Sequence, residues 1–474
     1  MRNVHPAILP GSRAAIAVAL GIGAAGAGAA TRYALDYAPD TEQMRVQLCV
    51  DAAASRREFR LHRGGAAFVA DLEREHGAIE RVDDAGWRAA DWRAGECLSY
   101  VARVGAVANS RDHDIGSRVG GTLLVAPQQW LLRAGDEAAE VRVTLPPGYA
   151  FAPPWTPSGE REPRRYVVTP TPFSWAALVA IGRFEETKLD MPGGSVRLAV
   201  LGETTPAQRD TLQQWVRRAL AATASGYGEL PLPQTQVVLL PGKGCGDKVV
   251  GFGQSLRGQG NAVHIRVDPA ATLEQLDADW TAVHEFSHWA HPYLGDDGAW
   301  LAEGLASYWQ NVLRARGGLM TPRRAWQQLD AGFARGRGAA VVDLTLAELS
   351  DAMHARRAYY AVYWSGAAYW LDVDVTLRRD SGGALSVDEA LKRFHACCLA
   401  RKREWGAAEF VEKLDGLIGS DVFRTRYREY AQRRGFPPLD TLYERLGLRH
   451  DDGGKLQTVD AADAGIRDAI MRRR

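Results

Sequence analysis

The sequence predicts an α+β chain of several domains: a β-sandwich first, a mixed α/β part next, a helical part last. Three observations carry this. Residues Met44-Arg45-Val46-Gln47-Leu48-Cys49-Val50 and Val141-Arg142-Val143-Thr144-Leu145 alternate with period two, as half-buried strands do. From about Thr169 strand and helix signals interleave. After Glu303 helix starts follow one another with few strand signals between them. The 474 residues suffice for roughly two to four domains, each with its own core.

Each stretch has its own reason. Residues 1–30 read as a secretory signal: Arg2 and Arg13 flank the Ala/Gly-rich run Ala14 to Ala30, and Ala27-Gly28-Ala29 suits a small-residue cleavage site. At 17 weakly apolar residues the run falls short of the ~20 that a spanning helix needs, so cleavage is expected. No stable membrane insertion of the mature chain is expected. Residues 31–166 are assigned to the β-sandwich, with Pro146 through Pro157 as an irregular linker at its end. His62, His76 and His113 are scattered through it and expected on the surface.

Residues 167–292 form the mixed part. Val196–Leu201 and Gln236–Leu240 read as strands, and Thr205-Pro206-Ala207-Gln208 combines a capping box with proline at the first helical position. The glycine-rich run Gly251 to Gly260 lacks a G-x-x-x-x-G-K-S/T pattern and is no phosphate cradle. Ala262–Val267 reads as a strand just before the next helix, and an exposed edge strand there would suit an extended peptide. Residues 293–448 are helical, with starts at Ala299, Thr321-Pro322, Thr345 and Ser386. Tyr359, Tyr360, Tyr363, Trp364, Tyr369 and Trp370 make one stretch strongly aromatic, most of it expected in the core. Residues 449–474 read as a weakly ordered tail.

Lys plus Arg number 58 against 57 acidic residues, a net charge of +1, so no polyelectrolyte partner is indicated and nucleic acid is not expected. Export would place the five cysteines in an oxidising setting. Cys49 and Cys97 could pair, while buried structural cysteine is the default for all five. No C-x-x-C suggests a metal site among them.

Chemistry concentrates in Val283-His284-Glu285-Phe286-Ser287-His288-Trp289. On a helix His284 and His288 rise from one face about 6 Å apart, close enough to grip one metal ion. Glu285 beside them can reach a metal-activated water without ligating the ion. Glu303 follows fifteen residues after His288 and would face back from a second, antiparallel helix as a third ligand. Two histidines and one carboxylate with an open position form the ligand set of one catalytic zinc ion. Thr272 and Gln275 offer a capping box for the metal helix, and Pro292 should stop it. Leu294 excludes the pattern with a histidine third ligand. His291, Asp296 and Asp297 are rival third ligands on a looser loop.

With these residues in view, the chain resembles the gluzincin metallopeptidases, in particular the glycyl aminopeptidase family. The resemblance rests on the metal helix and on Trp300-Leu301-Ala302-Glu303-Gly304-Leu305-Ala306-Ser307-Tyr308-Trp309, running on to Thr321-Pro322. Tyr363-Trp364-Ser365-Gly366-Ala367-Ala368 with Gly382-Gly383-Ala384-Leu385-Ser386, and Phe436-Pro437-Pro438-Leu439 to Gly447-Leu448, extend it over most of residues 33–448. It implies a thermolysin-like catalytic domain in which His284, His288 and Glu303 bind Zn2+ and Glu285 is the general base. Tyr363 would steady the oxyanion, with Tyr360 as its substitute.

Departures from the family sharpen the expectation. Its members carry a glutamate in the edge-strand motif that binds a substrate's free amino group, whereas no glutamate occurs here between Glu229 and Glu274. Gly253-Gln254-Ser255 stands in that region instead. The spacing from His288 to Glu303 is shorter than gluzincins usually show, and the 26 residues after Leu448 leave no room for the PDZ domain that often follows. The resulting expectation is an exported metallopeptidase, periplasmic or extracellular, acting on peptide or protein substrates. Amino-terminal trimming and a non-catalytic, peptidase-like binding module are the alternatives.

Overall fold

The computed structural model describes residues 31–159, 164–243, 248–400 and 402–473. The expected signal segment 1–30 and Cys245 lie outside the described residues.

The first third is β-rich and builds three sheets. A seven-stranded sheet runs in the order Thr156–Pro157, Arg165–Val168, Ala139–Thr144, Thr31–Ala38, Gln43–Val50, Glu96–Ala102, Val69–Arg74. Its alternating strands bury one face, with Leu35, Val46, Leu48 and Val141 inside. A four-stranded sheet (Ala150–Ala152, Val179–Gly182, Thr122–Val125, Gly116–Val119) and a three-stranded sheet (Ala54–Arg60, Gly86–Trp92, Ile79–Arg81) complete it. Cys49 and Cys97 are register partners on adjacent strands and are joined by a disulfide. The Pro146–Pro157 stretch is not a loose linker. Phe151 through Trp155 are buried and two short strands form within it, because the apolar rings between the prolines find the core of both sheets. His62, His76 and His113 are exposed as expected.

A five-stranded sheet follows, ordered Glu185–Met191, Gly194–Val200, Gln234–Pro241, Ala262–Val267, Val250–Leu256. The middle three strands are parallel, and both edges are antiparallel to their neighbours. The capping box of Thr205 and Gln208 starts the helix Pro206–Ala224, whose crossover makes the parallel pairing possible. The edge strand is formed by the glycine-rich run itself, while Ala262–Val267 is interior. Leu124 and Ala180 of the four-stranded sheet, with Leu178 just before it, pack on Ala199, Val238 and Leu240, joining the two β regions.

The rest is largely helical, and one core spans it and the inner face of the five-stranded sheet. The helix Ala299–Arg316 is buried nearly all round, its polar Gln310, Asn311, Arg314 and Arg316 included. It crosses Tyr359–Asp380 at a glycine contact: a Cβ on Gly366 would stand 1.9 Å from the Trp300 carbonyl oxygen, and one on Gly304 2.4 Å from the Gly366 carbonyl carbon. Trp364, Tyr369 and Trp370 are core residues, whereas Tyr359 and Tyr360 are exposed.

Two expectations fail here. Residues 449–474 are not a loose tail. The strands Leu448–His450 and Leu456–Thr458 pair, the helix Ala464–Met471 follows, and Ile470 and Met471 are buried. The buried Arg316 guanidinium donates to the Ile470 carbonyl at 2.8 Å, a tether no local pattern announces. Cys397 and Cys398 depart from the buried structural cysteine expected of all five: Cys397 is exposed, and the two are disulfide-bonded to each other at the end of the helix Val387–Cys397. No described helix is long and apolar enough to cross a membrane.

Candidate metal centre

The metal-binding pattern sits on a short helix, Thr281–Ser287, that continues as a 3-10 turn His288–Ala290 and ends before Pro292. The capping box at Thr272 does not start it. That box caps a separate helix, Leu273–Ala278, and the chain then turns so that the Asp279 carboxylate accepts the Thr281 N–H at 2.7 Å. A two-residue break at Asp279 and Trp280 thus replaces the single long helix that periodicity suggests.

Two arginines brace the C-termini on either side of this short helix, that of the preceding helix Leu273–Ala278 and that of the 3-10 turn His288–Ala290. Arg314, from the helix Ala299–Arg316, donates to the carbonyls of Asp277 and Ala278 at 3.0 and 2.7 Å. Arg257, just beyond the edge strand, donates to the carbonyls of His288 and His291 at 2.6 and 2.9 Å. A cation at a helix C-terminus satisfies its orphan carbonyls and opposes the dipole.

The helix Ala299–Arg316 starts as predicted and returns Glu303 to the histidines. Its N-terminus is pinned by Ser350, whose hydroxyl accepts the Trp300 N–H at 3.1 Å and donates to the Asp296 carbonyl at 2.9 Å. Glu303 Oε2 lies 3.2 Å from His284 Nε2 and 3.7 Å from His288 Nε2. One ligand atom from each of the three residues lies within 4.8 Å of the others, and the two imidazoles are buried. A tetrahedral zinc with ligand distances of about 2.0–2.2 Å sets its ligand atoms about 3.3 Å apart, so these three residues fit the ion. His291 is turned away, its Nε2 2.9 Å from His288 Nδ1. Its rivalry as third ligand ends there.

Charge at the cluster follows from burial and proximity. Burial pushes both ligand imidazoles down. At His284 the Glu303 carboxylate more than offsets this and raises it, whereas His288 stays well below its usual range. Burial would raise Glu303, but His288, His284 and the Tyr363 hydroxyl hold it down to about 2. Burial pushes the Glu285 carboxyl up to about 7, with His284 opposing the rise and Glu303 adding to it. Glu285 is therefore the carboxyl of the cluster poised to exchange a proton near neutrality.

The edge strand lies against Glu285. A Cβ on Gly253 would meet Thr281 Cγ2 at 2.5 Å and Glu285 Cγ at 2.7 Å, so glycine is what lets the strand approach the carboxylate. Sequence reasoning passed over this glycine. The signal was there, in a glycine amid strand-forming neighbours. Tyr363 stacks on His284 with ring centroids 6.2 Å apart and hydrogen-bonds Glu303, so it joins the cluster. Tyr360 is exposed and makes no such contact. Trp280 stands edge-on to His284 at 5.2 Å, and Tyr359 to Tyr363 at 6.4 Å. Trp280 and Tyr359 are both exposed, giving a buried charged cluster an apolar rim.

Fold and site together define an architecture of the zinc-metallopeptidase kind. No protein-family model and no curated protein matches the sequence. Solved structures do match in fold. An aminopeptidase N family protein from Idiomarina loihiensis superposes with a TM-score of 0.68 at 13% identity, over 91% of this chain and 81% of that one. An M1 zinc metallopeptidase from Deinococcus radiodurans gives 0.55 at 14% identity, over 86% of this chain and 93% of that one. Yeast LTA4 hydrolase in complex with bestatin gives 0.53 at 12% identity, over 86% and 68%. The expected gluzincin resemblance is thus met in the fold.

Proposed function

We propose that this chain is a zinc-dependent peptidase. The observation that carries the reading is the convergence of His284, His288 and Glu303 at zinc-ligand spacing with Glu285 unligated beside them. His284 Nε2, His288 Nε2 and a Glu303 carboxylate oxygen would hold a single Zn2+. Bound zinc would supply Lewis acidity to a water and to a carbonyl oxygen. Glu285 takes a proton from the attacking water at its carboxylate and returns it to the leaving amine. The Tyr363 hydroxyl, now on Glu303, is within the same cluster and donates to the oxyanion that develops. The edge strand Val250–Leu256 orients an extended peptide by backbone hydrogen bonds, and the apolar rim receives its side chains.

A narrower reading, removal of single amino-terminal residues, is favoured by the aminopeptidase N family and M1 metallopeptidase neighbours. The edge strand weighs the other way, since it carries Gln254 and no carboxylate to pair with a free ammonium group. The same proposal places the protein outside the cytoplasm. The basic and apolar character of residues 1–30 and the Cys49–Cys97 disulfide support an oxidising compartment.

Digestion of a diverse peptide mixture, with free and with acetylated amino termini, tests both readings. Wild-type protein should cut and Glu285→Gln should not, while both retain zinc. Internal cuts indifferent to acetylation establish an endopeptidase, and single-residue losses blocked by acetylation establish an aminopeptidase. No cleavage of any peptide by zinc-loaded protein would overturn the peptidase reading in favour of a binding module.

A further inference from the structure

His291 is buried at 2% exposure, one residue before Pro292, and is no ligand in the cluster. Its Nδ1 lies 2.7 Å from the Pro292 carbonyl oxygen and its Nε2 2.9 Å from His288 Nδ1. A carbonyl oxygen only accepts, so His291 Nδ1 carries a hydrogen. The ring is buried against backbone held by the Arg257 guanidinium, where a second, unpaired positive charge would be costly, so the imidazole is neutral. Its Nε2 is then a lone pair, and His288 Nδ1 must donate to it. That leaves the His288 lone pair on Nε2, the nitrogen 3.7 Å from Glu303 Oε2.

We propose that His291 is a positioning residue: through this relay of two imidazoles, anchored on the Pro292 carbonyl, it holds His288 in the one tautomer that can bind a metal ion through Nε2. The inference rests on the zinc reading of the site. Three features of the chain fix the relay in place. Pro292 confines the residue before it to extended backbone, and His291 is found there at φ −132°, ψ 158°. Arg257 clamps the carbonyls of both histidines. The 3-10 turn at His288–Ala290 brings residues 288 and 291 together in space.

The other ligand is held differently. His284 Nδ1 lies 2.9 Å from Gln310 Oε1, but a glutamine amide can offer either its oxygen or its nitrogen by turning over. Gln310 can therefore follow whichever tautomer His284 adopts, whereas the Pro292 carbonyl cannot. Control of the tautomer lies at the His291 end. Outer partners of this kind typically change metal affinity 10–100-fold when removed.

The test compares zinc affinity, by competition with a chromophoric chelator, in wild type, His291→Ala and His291→Gln, with circular dichroism to establish folding. Wild type should bind one zinc ion. His291→Ala should bind it about 10–100-fold more weakly. His291→Gln, whose side-chain carbonyl can accept the same proton, should recover affinity to within a few-fold of wild type. Equal zinc affinity in wild type and His291→Ala overturns the relay. Absence of zinc binding by wild type overturns instead the zinc reading beneath it. Should His291→Ala fail to fold, 15N imidazole resonances of metal-free wild type decide. A protonated Nδ1 and a lone-pair Nε2 on His288 support the relay, and the reverse overturns it.

Discussion

Single residues at this site act through distance. Gly253 is the sharpest case, because the added methyl of Gly253→Ala would fall 2.7 Å from Glu285 Cγ and 2.8 Å from its Oε1. Either the edge strand or the carboxylate must move. Displacement by about 1 Å can cost 10²-fold in turnover. Gly253→Ala should therefore lose roughly that much kcat while zinc content, measured by metal analysis, stays at the wild-type level. Far from the site, Glu96 shows the same dependence on close contact. Arg74 donates to both its oxygens, at 2.7 and 3.1 Å, and the backbone N–H groups of Arg93 and His76 add two more bonds. The Arg74 hydrogen bonds, against the opposing effect of burial, hold this carboxyl down to about 2 from an ordinary 4.5. A depressed folded value contributes stability in full above pH 4.5, and that stability is lost as pH falls toward 2. Arg74→Ala should cost about 3–5 kcal/mol at neutral pH by stranding a buried charge, and should flatten that acid limb. Denaturant melts over a pH series read both effects.

At the scale of elements, the site is a crossing of helices. Glu303 and Tyr363 come from two helices that meet at Gly304 and Gly366, and the contact is too close for any side chain. Gly366→Ala should push the helices apart, cost about 3 kcal/mol or more and weaken zinc binding, because Glu303 moves with its helix. Gly338, at the end of the helix Pro322–Gly338, has no atom near the place of a Cβ. Gly338→Ala should be neutral or stabilising by up to about 1 kcal/mol. Thermal melts of the two variants, with zinc titrations, separate the crossing from helix propensity. An unchanged Tm in Gly366→Ala would mean that the crossing is not under steric control.

At the scale of the molecule, one ion would tie together pieces distant in the chain. The metal helix Thr281–Ser287, the helix of Glu303 and, through Tyr363, a third helix all converge on it. A ligand held only by the folded state stabilises it by about 4 kcal/mol at a thousandfold excess over Kd. Zinc should accordingly raise Tm by several degrees, and a chelator should reverse the gain together with peptidase activity. A Tm indifferent to both zinc and chelator would mean that the cluster binds no ion.

Local chemistry was legible in the sequence wherever a short-range rule governed it. The i, i+4 histidines, the helix starts at Thr205, Ala299, Thr321, Thr345 and Ser386 and the alternating strands all depend on neighbours in the chain or on simple periodicity. Misreadings arose where burial by distant residues outweighed those rules. The Thr272 box caps the wrong helix because the chain kinks at Asp279 to meet the carbonyl clamp of Arg314. The final residues look loose by composition, yet Arg316, some 150 positions earlier, anchors Ile470. The glycine-rich run becomes the edge strand because only glycine fits beside Glu285. Which histidine faces Glu303 and which stands behind it was likewise a tertiary decision, since His288 and His291 are alike in type and separated only by where the turn before Pro292 points their rings. The sequence by itself determined the ligand types and their spacing on one helix, because those follow from covalent periodicity. Only the tertiary structure decided which carboxylate meets the two histidines, which groups stand behind their rings and how far burial raises the Glu285 carboxyl, because each depends on groups brought together from far along the chain and on the water that packing excludes.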